Sequence, residues 1–219
     1  MDEDLRRQLG AMRARGRRMV RRARTVARQW NDEPAYRVLW RNQLYRPLRV
    51  AQFHRFGELS VVDRPLFLYG TSQIDIGDRV GIGPGSTLAV ERIAWDRPAP
   101  VLEICERVLI RCFAHISASE SIVIEPYVGI GGWCTIIDSN HLMNANTGHV
   151  QDGRVTTSPV RIGAGTWLGD RVAVLAGADI GKGCFIGSNS VVNKKIPDFS
   201  VALGHPARVV GRTIPDDTE

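Results

Sequence analysis

The residues able to do chemistry are few: five histidines, four cysteines and a scatter of carboxylates in 219 residues. His141 keeps the most suggestive company. It lies in the polar, turn-rich stretch 138–153, three residues after Asp138 and one after Asn140. An unperturbed imidazole titrates near ~6.5, so near neutral pH it can accept or release a proton. Asp138 can orient that ring or cap a turn, and the sequence leaves both readings open. Taken alone, His141 reads equally well as an ordinary surface residue. The cysteines Cys105, Cys112, Cys134 and Cys184 have neither CxxC spacing nor the density of a disulfide scaffold, which favours a reducing, cytoplasmic address. His115, His141 and His149 do not have a zinc-site spacing, and no metal is expected.

The elements that must hold these groups are read from a repeat. Ile162, Leu168, Val174, Ile180, Ile186 and Val192 stand six apart without a slip, with glycine directly after four of them. Ile76, Ile82 and Leu88, then Ile104, Ile110 and Ile116, then Ile124, Ile130 and Ile136 behave alike. Four positions after these aliphatics lie small or β-branched residues, among them Val80, Ser86, Ala114, Cys134, Thr166, Cys184 and Ser190. A period of six fits neither helix nor two-sided strand. It fits a short strand and a turn, three units to a coil, with successive coils stacked at the ~4.8 Å spacing of strands. Cys134 and Cys184 fall in the small column and read as packing residues rather than nucleophiles. Ile136 and Ile162 are 26 apart, eight more than one 18-residue coil, and that excess is the stretch carrying His141. Loops on a rigid scaffold are the usual carriers of function.

Charge divides the chain. Residues 1–29 hold ten arginines against Asp2, Glu3 and Asp4, or +7, which leaves −1 for the rest of a net +6. A nucleic-acid-binding core would itself be basic, so that class is disfavoured. Leu5, Leu9, Met12, Met19, Val20, Ala23, Val26 and Trp30 predict an Arg-rich amphipathic helix over 1–33, with Pro34 blocking its continuation. That helix packs on its own protein or meets an anionic membrane surface, at the inner face of the membrane. No apolar run is long enough to span a membrane, and arginines interrupt any signal-peptide core. The expected layout is a helix at 1–33, a connecting segment at 34–73, a β-helix at 74–204 with its loop at 138–160, and a tail at 205–219.

The segments "IGGWCTIIDSNH" and "VRIGAGTWLGDRVAVLAGADIGKGCFIGSNSVVNKKIPDFSVALGHPARVVG" resemble the acetyl-CoA-dependent O-acetyltransferases built from hexapeptide repeats. The resemblance covers roughly 74–210 and includes sugar and polysaccharide acetyltransferases. It implies an all-β, left-handed parallel β-helix; the left hand comes from the resemblance alone. It implies His141 as general base, with Asp138 orienting it or binding acceptor. It points to a main-chain N–H around Gly169 and Asp170 for the oxyanion, although the Asp170 carboxylate cannot donate. For acetyl-CoA it implies Trp167, the turns at Gly169, Gly187 and Ser188 along the pantetheine arm, and Lys194 and Arg208 at the phosphates. Lys195 joins them by proximity. Trp133 stands where several sugar enzymes carry Asn, and it is assigned with Asn140 to the acceptor. A homotrimer is implied, with each cleft between neighbouring chains.

The expected reaction is therefore acetyl transfer from acetyl-CoA to a hydroxyl of a sugar or glycan of the cell envelope. N-acetylation of a nucleotide-linked amino sugar is the nearest alternative. The first 70 residues are too short and too basic for the nucleotide-binding domain that often accompanies it. A non-catalytic scaffold is the other alternative, and it need keep neither His141 nor the matched tail.

Overall fold

The computed structural model describes residues 46–150 and 153–213. The predicted Arg-rich helix, and with it the membrane reading, lies outside the described residues. After a helical stretch at 46–52 the chain winds into a coil of short strands forming three parallel sheets. The first sheet stacks Arg55–Phe56, Ile74–Ile76, Leu102–Ile104, Ile122–Ile124, Val160–Ile162 and Asp179–Ile180. The second stacks Val61–Val62, Gly81–Ile82, Leu109–Ile110, Gly129–Ile130, Trp167–Leu168 and Phe185–Ile186. It closes with Ser200–Gly204 and the antiparallel strand Ala207–Arg212. The third stacks Phe67–Tyr69, Thr87–Val90, His115–Ala118, Thr135–Ile137, Ala173–Val174 and Val191–Val192.

Both predicted columns point inward. Ile76, Ile104, Ile124, Ile162 and Ile180 meet in direct register, and each is fully buried. The small column is equally buried, from Val80 to Ile196. Where it carries a polar atom, the neighbouring coil satisfies it, as buried polar groups require. Thr166 Oγ1 donates to the Gly181 carbonyl at 2.8 Å, and Cys134 Sγ to the Gly169 carbonyl at 3.1 Å. Burial pushes the thiols of Cys134 and Cys184 up, as suits packing residues.

Two boundaries differ from expectation, and so does the count of inserted residues. The coil starts at Arg55–Phe56 rather than 74, because Phe56, Val62 and Leu68 already stand six apart and pair beneath Ile76, Ile82 and Leu88. The tail from 205 folds back instead of leaving, since Ala207–Arg212 covers the edge strand Ser200–Gly204. The insertion is also larger. Ile124 pairs with Ile162, 38 positions on, so the excess over an 18-residue coil is 20 residues rather than eight. A second insertion lies between Val90 and Val101, because Ile76 pairs with Ile104, 28 positions on.

Candidate active site

The larger insertion is a two-stranded hairpin. Ser139–His141 pairs antiparallel with Val155–Thr157, with Asn140 opposite Thr156 and His141 opposite Val155. Its base is fixed by Asp138, which is fully buried. The Asp138 carboxylate accepts N–H bonds from Ser119, Glu120 and Ser121 at 2.7–2.8 Å, and its carbonyl accepts one from Ser158 at 2.9 Å. Burial pushes this carboxyl above the usual range, and the three N–H bonds pull it back. Of the two readings of Asp138, the turn-capping one matches these contacts. Both oxygens face residues 119–121.

Alternation along the strand decides which side chains meet. Ser139 and His141 face a cleft of about 490 Å³ over the outer face of the third sheet, together with Val155. Asn140, assigned to the acceptor, falls on the opposite side and does not line this cleft. The sheet contributes Tyr69, His115, Ser117 and Ile137. The smaller insertion contributes Glu91, Arg92 and Ile93, and the adjoining turn contributes Ser119. Ser117 Oγ donates to Glu91 Oε1 at 2.8 Å. Tyr69, Glu91, His115 and Ser117 escaped the sequence reading. A signal existed for two of them, because His115 and Ser117 flank the inward Ile116 and must therefore point outward.

The residues assigned to acetyl-CoA lie elsewhere. Asp170 and Ser188 line a second cavity of about 420 Å³ at the corner between the second and third sheets, and Trp133, assigned to the acceptor, lies there with them rather than in the His141 cleft. Arg111, Cys112, Gly132, Arg171 and Asn189 complete it. Trp133 stacks on Phe113, ring centroids 4.2 Å apart, at a left-handed φ of 63°. No residue lines both cavities. Trp167 lies on the outer face of the second sheet, its ring against Gly129. Lys195 Nζ stands 3.7 Å from Asp179 Oδ2, beside the first sheet, whereas Arg208 lies in the closing strand of the second. Lys194 is exposed beside Lys195.

The turns are less open than the sequence suggests. Gly169 and Gly187 are buried rather than open to an extended ligand. They are small because the next coil passes close: a Cβ on Gly169 would lie 2.6 Å from the Ser188 nitrogen, and one on Gly187 would meet the Leu203 side chain. The two N–H groups expected at the oxyanion are both engaged within the coil. The Gly169 N–H donates to Ile186 and that of Asp170 to Ser188 Oγ. The Asp170 carboxylate meanwhile accepts from Gly132 at 2.7 Å, so its work is to tie adjacent coils together.

Burial, with Glu103 beside it, pushes the Cys105 thiol up to about 12. Among the described residues there is no group of three or more His, Cys, Asp or Glu side chains arranged to hold a metal. None of the helices described is long and apolar enough to cross a membrane.

Residues 159–194 match the family described as bacterial transferase hexapeptide (six repeats). A probable acetyltransferase of Mycobacterium tuberculosis is 37% identical over 139 residues, 64% of this chain and 44% of that protein. A putative acetyltransferase of Staphylococcus aureus is 47% identical over 72 residues, 33% of this chain and 36% of that protein. The chain thus spans less than half the length of these two relatives. The putative lipopolysaccharide biosynthesis O-acetyl transferase WbbJ of Escherichia coli is 28% identical over 180 residues, 79% of this chain and 83% of that protein. Among solved structures, the Bacillus cereus N-acyltransferase AntD, bound to dTDP-4-amino-4,6-dideoxyglucose and coenzyme A, superposes with a TM-score of 0.65 at 18% identity. That match covers 78% of this chain and 89% of AntD. A hexapeptide-repeat acetyltransferase of Vibrio cholerae gives 0.54 at 20% identity, covering 78% and 80%. The chain carries the bacterial transferase hexapeptide repeat wound into a left-handed parallel β-helix, and it is similar to acetyltransferases.

Proposed function

We propose that this chain transfers an acetyl group from acetyl-CoA to a hydroxyl of a sugar or glycan, with His141 as general base. The observation that carries the reading is the cleft itself. A hairpin inserted into the repeat holds His141 over a floor of hydroxyls and a carboxylate, suited to a polyhydroxylated acceptor. Neutral imidazole takes the acceptor proton as its oxygen forms a bond to the thioester carbonyl carbon. Collapse of the tetrahedral intermediate breaks the carbon–sulfur bond, and the proton passes from the imidazolium to the departing sulfur. The products are the acetyl ester and the free thiol of coenzyme A.

Acetyl-CoA supplies the activated acetyl group, and the corner cavity holds groups that fit it. Arg111 and Arg171 offer guanidiniums for phosphates, and Trp133 offers an exposed aromatic face. Lys194 and Arg208 are kept for the phosphates on the resemblance. Because His141 and these residues line different cavities of one chain, the complete site is proposed to form between chains of a homotrimer.

WbbJ, similar over most of both chains, favours an oxygen acceptor; AntD, whose fold is shared, keeps nitrogen as the second reading. The two part on product chemistry. Incubation with acetyl-CoA and a panel of sugars and amino sugars should give thiol release and a product that loses its acetyl group in hydroxylamine. A hydroxylamine-stable acetyl product would make the enzyme an N-acetyltransferase. No thiol release with any acceptor would favour a scaffold.

A further inference from the structure

The proposed acceptor cleft has a wall that the repeat does not supply. The insertion between Val90 and Val101 leaves the third sheet at the same end of its strand as the His141 hairpin, two coils earlier, and it lines the same cleft as His141. It begins with Glu91, whose N–H donates to the Ala118 carbonyl at 2.8 Å and whose Oε1 accepts from Ser117 Oγ at 2.8 Å. These two bonds hold an exposed carboxylate at the cleft floor. Further along, Trp95 Nε1 donates to the Val90 carbonyl at 3.2 Å, and its ring packs on Tyr69 with centroids 5.5 Å apart. Tyr69 in turn stacks on Phe67. Arg92 lies over the Trp95 ring at 5.6 Å, which draws its guanidinium to the aromatic wall. The cleft therefore offers the Tyr69 ring, a fixed carboxylate, the Arg92 guanidinium held over Trp95, a second imidazole from His115, and the Ser117 and Ser139 hydroxyls.

We infer that this insertion is the acceptor-selecting element, and that the cleft takes a neutral pyranose ring whose hydroxyls donate to Glu91. A carboxylate at a site binds hydroxyl donors through charge-assisted hydrogen bonds and repels an acidic sugar. Tyr69 lies along the apolar face of such a ring, as aromatic side chains do with sugars' C–H surfaces. His115, on the floor beside Ser117, is placed to meet a second hydroxyl. Glu91 and Tyr69 are specificity-determining residues; neither moves the proton. The inference rests on the acetyl-transfer reading for calling the ring an acceptor, but its test is a binding measurement.

Saturation-transfer difference NMR on the full chain, with methyl glucopyranoside, galactopyranoside, mannopyranoside and methyl glucuronide, reads the cleft directly. At least one neutral methyl glycoside should receive saturation, and methyl glucuronide markedly less. Glu91→Ala should weaken the neutral glycoside at least tenfold, in line with loss of a hydrogen bond to a charged group. Glu91→Gln keeps an oxygen for Ser117, so it should recover part of that affinity and raise glucuronide binding. Circular dichroism melts check that both variants fold, and the glutamine variant carries the test if the alanine variant does not. Absence of saturation on every neutral glycoside overturns the inference, as does wild-type affinity and unchanged glucuronide discrimination in both variants. Failure of the acetyl-transfer reading would look different, because glycosides would bind while no variant or wild type released thiol from acetyl-CoA.

Discussion

His141 is an exposed side chain on a hairpin whose position is set at its base. Asp138 lies at the base of that hairpin, and its carboxylate draws the N–H groups of residues 119–121 from the preceding coil. Removing the charge while keeping the shape tests this anchoring role. An amide has one acceptor oxygen and turns an N–H₂ toward donors. Asp138→Asn should therefore cost about 2 kcal/mol of stability, the scale for buried donors left unpaired. Denaturant unfolding gives the loss, and hydrogen exchange should localise it to the amides of 119–121. Unchanged exchange there would refute the anchoring role. The sequence could not decide this point, because the partners of Asp138 lie 17 to 19 residues upstream and meet it only through coil stacking. Asn140 differs from its neighbour for a simpler reason: adjacency to His141 in sequence is opposition in a strand.

Elements in this molecule are legible in proportion to their repetition. The hexad column was readable because each coil buries the same position, so one rule covers Ile76, Ile104, Ile124 and Ile162 alike. The first coil was harder, since Phe56 stands where other coils carry aliphatics, although Gly57 follows it as glycine follows elsewhere. The hairpin and the loop at Glu91 have no counterpart in other coils, so their geometry depended on contacts that no period encodes. Coil spacing makes a sharp forecast about two neighbouring glycines. A Cβ on Gly163 would lie 2.5 Å from backbone atoms of Gly181 and Lys182, which side-chain adjustment cannot relieve. Gly165 has nothing within 4 Å and only a φ of +68° to accommodate. Gly163→Ala should cost on the order of 3 kcal/mol or more, and Gly165→Ala about 1 kcal/mol from left-handed strain. Equal midpoints in guanidinium unfolding would contradict the stacking account.

At the scale of the whole molecule, the surface carries a debt that one chain does not settle. On the outer face of the second sheet, Leu109, Trp167, Phe185 and Leu203 are each between 39% and 55% exposed. Leu109, Trp167 and Phe185 follow one register line through Gly129. Such a contiguous apolar line is what contact with another copy covers. Together with a proposed catalytic cleft and a proposed donor cavity that share no residue, it supports assembly of the site from more than one chain. Sedimentation equilibrium should return about 73 kDa, three times the 24.3 kDa chain. A mass near one chain would remove the basis for an inter-chain site.

The central claim is that His141 moves the acceptor proton during acetyl transfer. It is tested most directly by thiol release from acetyl-CoA, with the best acceptor of a glycoside panel, in wild type and His141→Ala. Coenzyme A binding is followed alongside by calorimetry. General-base catalysis contributes about 10²–10⁴-fold, so the variant should lose at least about a hundredfold in kcat while binding coenzyme A as the wild type does. Equal rates of thiol release in the two proteins would contradict the account.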